Sequence, residues 1–358
     1  MKVVILFGGK SVEHESSIHM YYSMIESLRE EGSKYQLAAV AYIAQEGGVH
    51  TWTPSGSEIP PKSVKEFRKL PVIELKSFIA SLNRGEHYVY SLLQGTEGED
   101  GVYQGLAAAL DLHSNLGGVF SSSLSMNKWA HSNIANILAS DDLHEIPTEL
   151  ILANSDESTL SEVVEKFKGL ACVIKPNDLG ASVLCESVEV LSMNELASFS
   201  QAISEYSASF LVQRKLSGAE YSFGLIKRHG KYEALPAIRI TSASGFLGLR
   251  EKFSEGGFRI EFVPDSSLVY KKMERVCLKL ASVVDYGTAC RFDFIEECDK
   301  LYLLEVNSKP GLTDESHYTQ MLKKVGLSLT DLLGVSMDNA VQEKHKRRDF
   351  YFEVEHVF

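Results

Sequence analysis

Residues 291–297 (Arg-Phe-Asp-Phe-Ile-Glu-Glu) and 301–307 (Leu-Tyr-Leu-Leu-Glu-Val-Asn) are two β-prone runs joined by the short, turn-like Cys298-Asp299-Lys300. No other feature limits the fold of this chain so narrowly. If Glu297 pairs with Leu301, Asp293 stands opposite Glu305 and Arg291 opposite Asn307. Side chains alternate along a strand, so these four share one face. Like charges directly opposed in a ladder repel, and two carboxylates set among Phe292, Phe294, Leu304 and Val306 demand a cation. Three oxygen-bearing side chains without a soft ligand suit Mg²⁺, which keeps waters and shares phosphate oxygens with a nucleotide. A half-exposed hairpin with its charges facing water fits the same pattern.

At 358 residues the chain exceeds what one hydrophobic core supports, so two or three domains are expected. A formal charge of −12 argues against nucleic acid or an acidic membrane surface as the main partner. An anionic cofactor then needs a local concentration of positive groups. The five cysteines show no CxxC spacing and lie mostly in apolar runs, which predicts reduced core thiols and a cytoplasmic location. Met1 to Phe7 runs directly into Gly8-Gly9 and reads as a first strand rather than a signal peptide. No apolar run reaches the length of a transmembrane helix.

The chain divides into an α/β unit over 1–120, a second unit over 121–213, a third over 214–345 and a tail from 346 to 358. In the first, strand 3–7 precedes a helix with Ile18, Tyr21, Tyr22, Ile25 and Leu28 on its apolar face, and strands follow at 37–43 and 88–93. Gly47 to Lys62, rich in proline, reads as a surface excursion. In the second, Ser125 to Lys128 caps a helix through Ile137, Pro147 precedes an extended segment, and strands at 172–175, 183–186 and 209–213 surround a helix from Asn194 to Glu205. The third holds strands 219–226 and 232–240, the loop 241–257, helix 266–284, the opening hairpin and helices after Thr319. The basic run 344–348 reads as a solvated helix end.

Lys175 leaves an apolar strand just before a loop containing Gly180 and Ser182; such a lysine either snorkels to water or meets an anion, and the loop's backbone N–H groups can turn toward phosphate. From Gln213 to Glu220 one strand ends and another begins. That edge is either an ordinary loop or a place where backbone groups read adenine and a carboxylate holds ribose. The glycine-dense run Gln94 to Gly101 and the run Gly8 to Glu15 each follow a strand, the side of an open α/β sheet where ligands bind. Glu15 there suits an ammonium group. As first-turn helix residues, Glu13 and Glu15 equally suit the helix dipole.

Taken in order, Leu-Phe-Gly-Gly…Glu-His-Glu15, Gln94-Gly-Thr-Glu-Gly-Glu-Asp-Gly, Met126-Asn-Lys128, Ile174-Lys175-Pro, Arg291-x-Asp293 and Glu305-x-Asn307-Ser-Lys-Pro310-Gly311-Leu-Thr313 resemble the D-alanine-D-alanine ligases of the ATP-grasp superfamily. The resemblance covers nearly the whole chain. It implies an N-terminal Rossmann-like (preATP-grasp) α/β domain carrying the first amino-acid subsite, followed by an ATP-grasp fold of two α+β subdomains. It further implies ATP and two Mg²⁺ ions (or Mn²⁺), an acyl-phosphate intermediate, a role in peptidoglycan precursor synthesis and a homodimer. Asp293, Glu305 and Asn307 would hold the metal; Lys128, Lys175 and Ser182 would meet the ATP phosphates. Gln213, Arg214 and Leu216 would read adenine, and Glu220 the ribose. Lys252, on the lid loop, would reach the transferred phosphate. Arg291 and the Gly311 N–H would stabilise the oxyanion, Glu15 would take the first ammonium group, and Ser316 the second carboxylate.

The chain departs from the family pattern around the amino-acid site. Gln94 replaces a histidine, Ala181 a serine and Leu184 a glycine. The lid motif Leu247-Gly-Leu-Arg-Glu-Lys252-Phe253 keeps its lysine but no tyrosine, and His317 stands where many relatives have leucine. The hydroxyls that latch the lid to a glutamate in typical members are thereby missing, at roughly 1 kcal/mol per hydrogen bond. Three readings remain: a D-alanine-D-alanine ligase with a relaxed latch, a ligase with another acceptor such as D-lactate, and a nucleotide-binding protein without ligase turnover.

Overall fold

The computed structural model describes residues 1–30, 34–55, 59–180, 182–242 and 258–348. Lys252, Phe253, Ala181, most of the lid loop and the tail beyond Arg348 therefore lie outside the described residues. Three sheets carry the architecture. In the first, β1 (Lys2–Gly8), β2 (Leu37–Ile43), β3 (Val49–Trp52), β4 (Val72–Ile73), β5 (His87–Ser91) and β6 (His113–Ser114) are ordered β4-β3-β2-β1-β5-β6. The β2-β1-β5-β6 portion is parallel. That parallel core is buried on both faces, which is why β1 reads as an unbroken apolar run. The helix His14–Glu30 covers one face with Ile18, Tyr21, Met24, Ile25 and Leu28.

The second sheet, β7 (Thr148–Leu152), β8 (Cys172–Pro176), β9 (Glu186–Val188) and β10 (Ser209–Arg214), is antiparallel in the order β7-β10-β8-β9. Helices Glu157–Lys166 and Met193–Ile203 close its own core through Leu160, Val163, Leu196 and Phe199. The third sheet comprises β11 (Ala219–Arg228), β12 (Lys231–Ala234), β13 (Ile238–Ser242), β14 (Phe258–Phe262), β15 (Ala289–Glu297) and β16 (Lys300–Asn307). Its order is β14-β13-β11-β15-β16, with β12 also on β11. Helix Leu268–Val283 packs under it. Ile226, Ile238, Tyr318 and Met321 of this unit share a core with Phe7, Tyr21 and Tyr90 of the first, so the first and third sheets are welded through apolar contact.

Several expectations need correction. The excursion from Gly47 contains β3, and Val49 and Trp52 are buried. Gly47 and Gly48, both at positive φ, turn the chain back along β2, a hairpin signal obscured by the prolines that follow. The single strand expected over 232–240 is split into β12 and β13 at Pro236, which lacks the N–H a ladder needs. The strand expected at 183–186 begins only at Glu186, because Ser182 and Leu184 adopt left-handed backbone at φ 58° and 53°. Helices Val119–Met126 and Glu157–Lys166 were not anticipated. Of the cysteines, Cys172, Cys277 and Cys290 are buried, whereas Cys185 is half-buried and Cys298 exposed.

The hairpin reaches its expected pairing by a different route. Its turn is two residues, Cys298-Asp299, both left-handed at φ 52° and 65°, so Glu297 pairs with Lys300. Such a turn matches the right-handed strand twist. A bulge at Leu304 then shifts the register, and Asp293 still meets Glu305 and Arg291 still meets Asn307.

Candidate functional site

A cavity of about 440 Å³ lies between the second and third sheets. One wall comes from β8, β10 and the turn after Pro176, the other from the shared polar face of β11, β15 and β16. Lys128, Lys175, Ser182, Gln213, Arg214, Leu216, Glu220, Arg291, Asp293 and Glu305 all line it. Residues separated by up to 177 positions are thus gathered in one place. Lys128, Lys175, Lys215, Arg239 and Arg291 concentrate positive charge there, although the whole chain carries −12.

Local sequence explains each placement. Asn127 caps the helix Lys128–Leu138 by accepting from Ala130 N at 2.9 Å, and the Lys128 N–H donates to Asn177 O at 2.9 Å. Lys128 Nζ then reaches Leu179 O at 2.5 Å, which docks the helix start on the turn after β8. That turn presents Ser182 toward the cavity. At the other end, Ile146, Leu216 and Tyr302 form a buried apolar cluster with Ile295 and Leu304 against it. The bulge residue Leu304 thus adds apolar surface beside the carboxylates. Gln213 and Arg214 line the cavity with their side chains committed elsewhere. Gln213 Nε2 donates to Thr148 Oγ1 at 2.8 Å, and Arg214 Nη2 pairs with Glu297 at 2.7 Å. What that segment offers a flat ring is its backbone and Leu216.

Asp293 is the electrostatic centre. Arg291 grips it with Nε to Oδ1 at 2.9 Å and Nη2 to Oδ2 at 2.7 Å, Ser222 Oγ donates to Oδ1 at 2.6 Å, and Asn307 Nδ2 to Oδ2 at 3.1 Å. Burial opposes its ionisation, yet the Arg291 charge and the donated hydrogen bonds outweigh burial and hold the carboxyl below the usual range. Arg291 is reciprocally kept charged by Asp293 despite its own burial. Ser222 Oγ also lies 3.1 Å from His317 Nδ1, and the His317 ring stands edge-on to Phe258. His317 lines the same cavity. Among the described residues no three His, Cys, Asp or Glu side chains converge. The donor set is two carboxylates and an amide.

A second cluster adjoins the cavity at the carboxyl ends of β1 and β5. Glu15 is not part of it; that side chain is exposed on its helix. Glu13 occupies the position instead. A Cβ on Gly95 would lie 2.9 Å from Glu13 Oε1, and one on Gly180 would collide with the same atom, so Glu13 is wedged between the two glycine turns. Glu99 lies close by, its Oε2 accepting from Gly95 N at 2.6 Å. Burial, and then the charge of Glu13, pushes the Glu99 carboxyl up to about 8. Gln94 is buried, with Nε2 donating to Leu93 O at 3.3 Å and Lys309 O at 3.4 Å. Gly311 and Ser316 are neighbours at its edge, and Ser316 Oγ accepts from Thr313 N at 3.1 Å. Lys309, buried beside Gln94, was not anticipated, since a lysine next to Pro310-Gly311 reads as a solvated loop residue.

Comparison with known proteins adds an independent finding. Residues 138–336 match the family model described as D-ala D-ala ligase C-terminus. The D-alanine--D-alanine ligase of Buchnera aphidicola subsp. Schizaphis graminum is 27% identical over 342 residues, covering 93% of this chain and 96% of the relative. The Vancomycin C-type resistance protein VanC2 of Enterococcus casseliflavus is 27% identical over 343 residues, with the same coverage of 93% and 96%. The structure of the D-alanine-D-alanine ligase from Coxiella burnetii superposes with a TM-score of 0.73 at 19% identity, covering 98% of this chain and 96% of that one. The likeness in structure establishes the fold.

Proposed function

The chain belongs to the D-alanine-D-alanine ligase family, and from that premise we propose that it uses ATP to join two small amino acids, D-alanine to D-alanine, through an acyl phosphate. The observation that carries this reading is the single cavity that brings the lysines at 128 and 175 to the Arg291, Asp293, Glu305 face. A carboxylate is a poor electrophile until one oxygen becomes a leaving group, and such a cavity can hold a triphosphate beside a carboxylate. Leu216, Ile146 and Leu304 supply the apolar wall for the base, and Glu220 lies where ribose hydroxyls would fall. Lys128, Lys175 and Ser182 face the phosphates. Asp293, Glu305 and Asn307 offer only oxygen and amide donors, which fits Mg²⁺ or Mn²⁺ and not a soft metal. When bound, such ions neutralise phosphate charge and align the oxygens of phosphoryl transfer.

The chain's own groups account for the rest. Glu13, wedged by two glycine turns, holds the donor's ammonium group, a role that the sequence pattern alone had suggested for Glu15. Arg291, fixed in orientation by Asp293, and the Gly311 N–H stabilise the oxyanion formed as the second amine attacks. Ser316 orients the acceptor's carboxylate, and His317 borders the acceptor. A ligase with another acceptor is favoured by one observation, the polar His317 on the cavity wall with Ser222 behind it.

The test is phosphate release with ATP and Mg²⁺ against D- and L-amino acids and D-lactate, with products identified by mass spectrometry. D-alanine alone yielding its dimer supports the first reading; turnover only with a mixed pair supports the second. Silence with every pair removes both. Glu305→Gln is expected to abolish turnover in whichever reaction is found, and a near-normal rate would remove the proposed metal site.

A further inference from the structure

Lys309 is 8% exposed. A lysine in a connecting segment ordinarily carries its ammonium group to water. Here Nζ donates instead to Ser91 Oγ at 3.1 Å and Leu93 O at 3.0 Å, both at the carboxyl end of β5, in a different sheet from the one Lys309 follows. Gln94 returns the contact, its Nε2 donating to Lys309 O at 3.4 Å. Ser91 is itself pinned, since Asn115 Oδ1 accepts from Ser91 N at 2.7 Å and Asn115 Nδ2 donates to Ser91 O at 3.0 Å. An apolar side chain of similar volume would fill this space without the cost of desolvating a charge. The ammonium group therefore has a positional effect that packing alone would not supply.

The segment it anchors is the one that carries Gly311. Beyond Gly311 a separate anchor holds the chain, where Thr313 N and Oγ1 bond to Ser316 Oγ at 3.1 and 2.7 Å. Between the two anchors lies the backbone N–H assigned to the oxyanion. The loop 94–101 begins directly after the Leu93 carbonyl that Lys309 grips, and its first residue, Gln94, donates to the Lys309 carbonyl. One side chain thus spans both borders of the donor subsite.

We propose that Lys309 is a positioning residue for the donor half of the reaction: its buried ammonium group ties the Gly311 segment to the end of β5 and fixes the distance between the oxyanion donor and the loop that receives the first amino acid. The inference rests on the ligase reading. It acts through backbone placement, so the expected signature is a kinetic split and not a general loss of folding. A misplacement of about 1 Å at a reacting centre costs on the order of a hundredfold in rate.

The experiment measures steady-state constants with donor and ATP varied separately, together with thermal unfolding. Lys309→Met, close in volume and without donors, is expected to lower kcat/KM for the donor by about tenfold or more, while KM for ATP moves less than about twofold. Lys309→Gln keeps N–H donors and is expected to recover part of that loss. Ser91→Ala, which keeps the charge and removes one acceptor, is expected to lower the same constant by about threefold and to add little on top of Lys309→Met. It also keeps the test decisive if Lys309→Met does not fold. A lower Tm with unchanged donor kinetics, or equal losses in the donor and ATP constants, would overturn the proposal. A wild-type enzyme silent with every amino acid removes the ligase reading and this inference together, whereas an active wild type with indifferent variants removes the inference alone.

Discussion

Glu13→Gln and Glu15→Gln form a matched pair in which the same change is made two residues apart. Glu13 lies in the turn just before the helix His14–Glu30 and Glu15 in that helix's first turn, so the two side chains leave the chain in different environments. Glu13 sits against Gly95 and Gly180 and raises the proton affinity of Glu99, whereas Glu15 is exposed. If Glu13 receives the donor's ammonium group, the variant loses a charge-assisted hydrogen bond at a half-buried site, worth about 1.5–3 kcal/mol. That corresponds to roughly 10- to 150-fold in kcat/KM for the donor. An exposed glutamate contributes within about 0.5 kcal/mol, so Glu15→Gln is expected to change the same constant by less than about threefold. The assay is phosphate release at saturating ATP with the donor varied at fixed acceptor. A second readout is independent of turnover: removing the Glu13 charge lowers the raised proton affinity of Glu99, so Glu13→Gln is expected to move the pH at which the ligand-free protein stops losing stability to a lower value, and Glu15→Gln to leave it in place. Equal effects of the two variants, or a larger effect of Glu15→Gln, would refute the assignment.

Two further outcomes concern stability. Leu184 holds a left-handed backbone at φ 53° while packing on the second sheet's core; Leu184→Ala loses the packing and keeps the strain, whereas Leu184→Gly loses both, so the glycine variant should exceed the alanine variant by about 1 kcal/mol in denaturant unfolding, and the reverse order would exclude the strain. Glu99 has its folded proton affinity raised to about 8 from an ordinary 4.5, with Glu13, Lys309 and Arg291 facing it. The folded state then holds a proton that the unfolded state releases, so this group's stabilisation is full below about 4.5 and is lost as pH rises through about 8. Glu99→Gln is expected to flatten the decline in Tm across that window, and an unchanged slope would place the raised affinity elsewhere.

The parts of the molecule legible in the sequence were those whose information is local. β1 and β2 follow from their apolar runs, and the cap of helix Lys128–Leu138 follows from Asn127. The shared face of Arg291, Asp293, Glu305 and Asn307 follows from period-two spacing. What was not legible depended on partners distant in the chain. Lys309 reads as a loop lysine until β5 is brought beside it. Gln213 and Arg214 look free to meet a ligand until Thr148 and Glu297 are in place. Glu13 and Glu15 are indistinguishable by composition, and only the direction in which the helix enters decides between them. The pairing of Asp293 with Glu305 was anticipated through a mechanism the molecule does not use, a longer turn instead of a bulge.

That substitution of one device for another has a consequence for how such a hairpin can vary. A two-residue turn without a bulge pairs residues at odd separations, and Asp293 and Glu305 are separated by an even number of positions. The bulge at Leu304 corrects this parity. A one-residue insertion at the tip lengthens the turn and the Asp293–Glu305 separation together, so a three-residue turn keeps the facing pair with the bulge still in place. A one-residue deletion between Lys300 and Glu305 can in turn be absorbed by loss of the bulge, so turn and bulge together let this hairpin change length by one residue in either direction while the two carboxylates stay face to face.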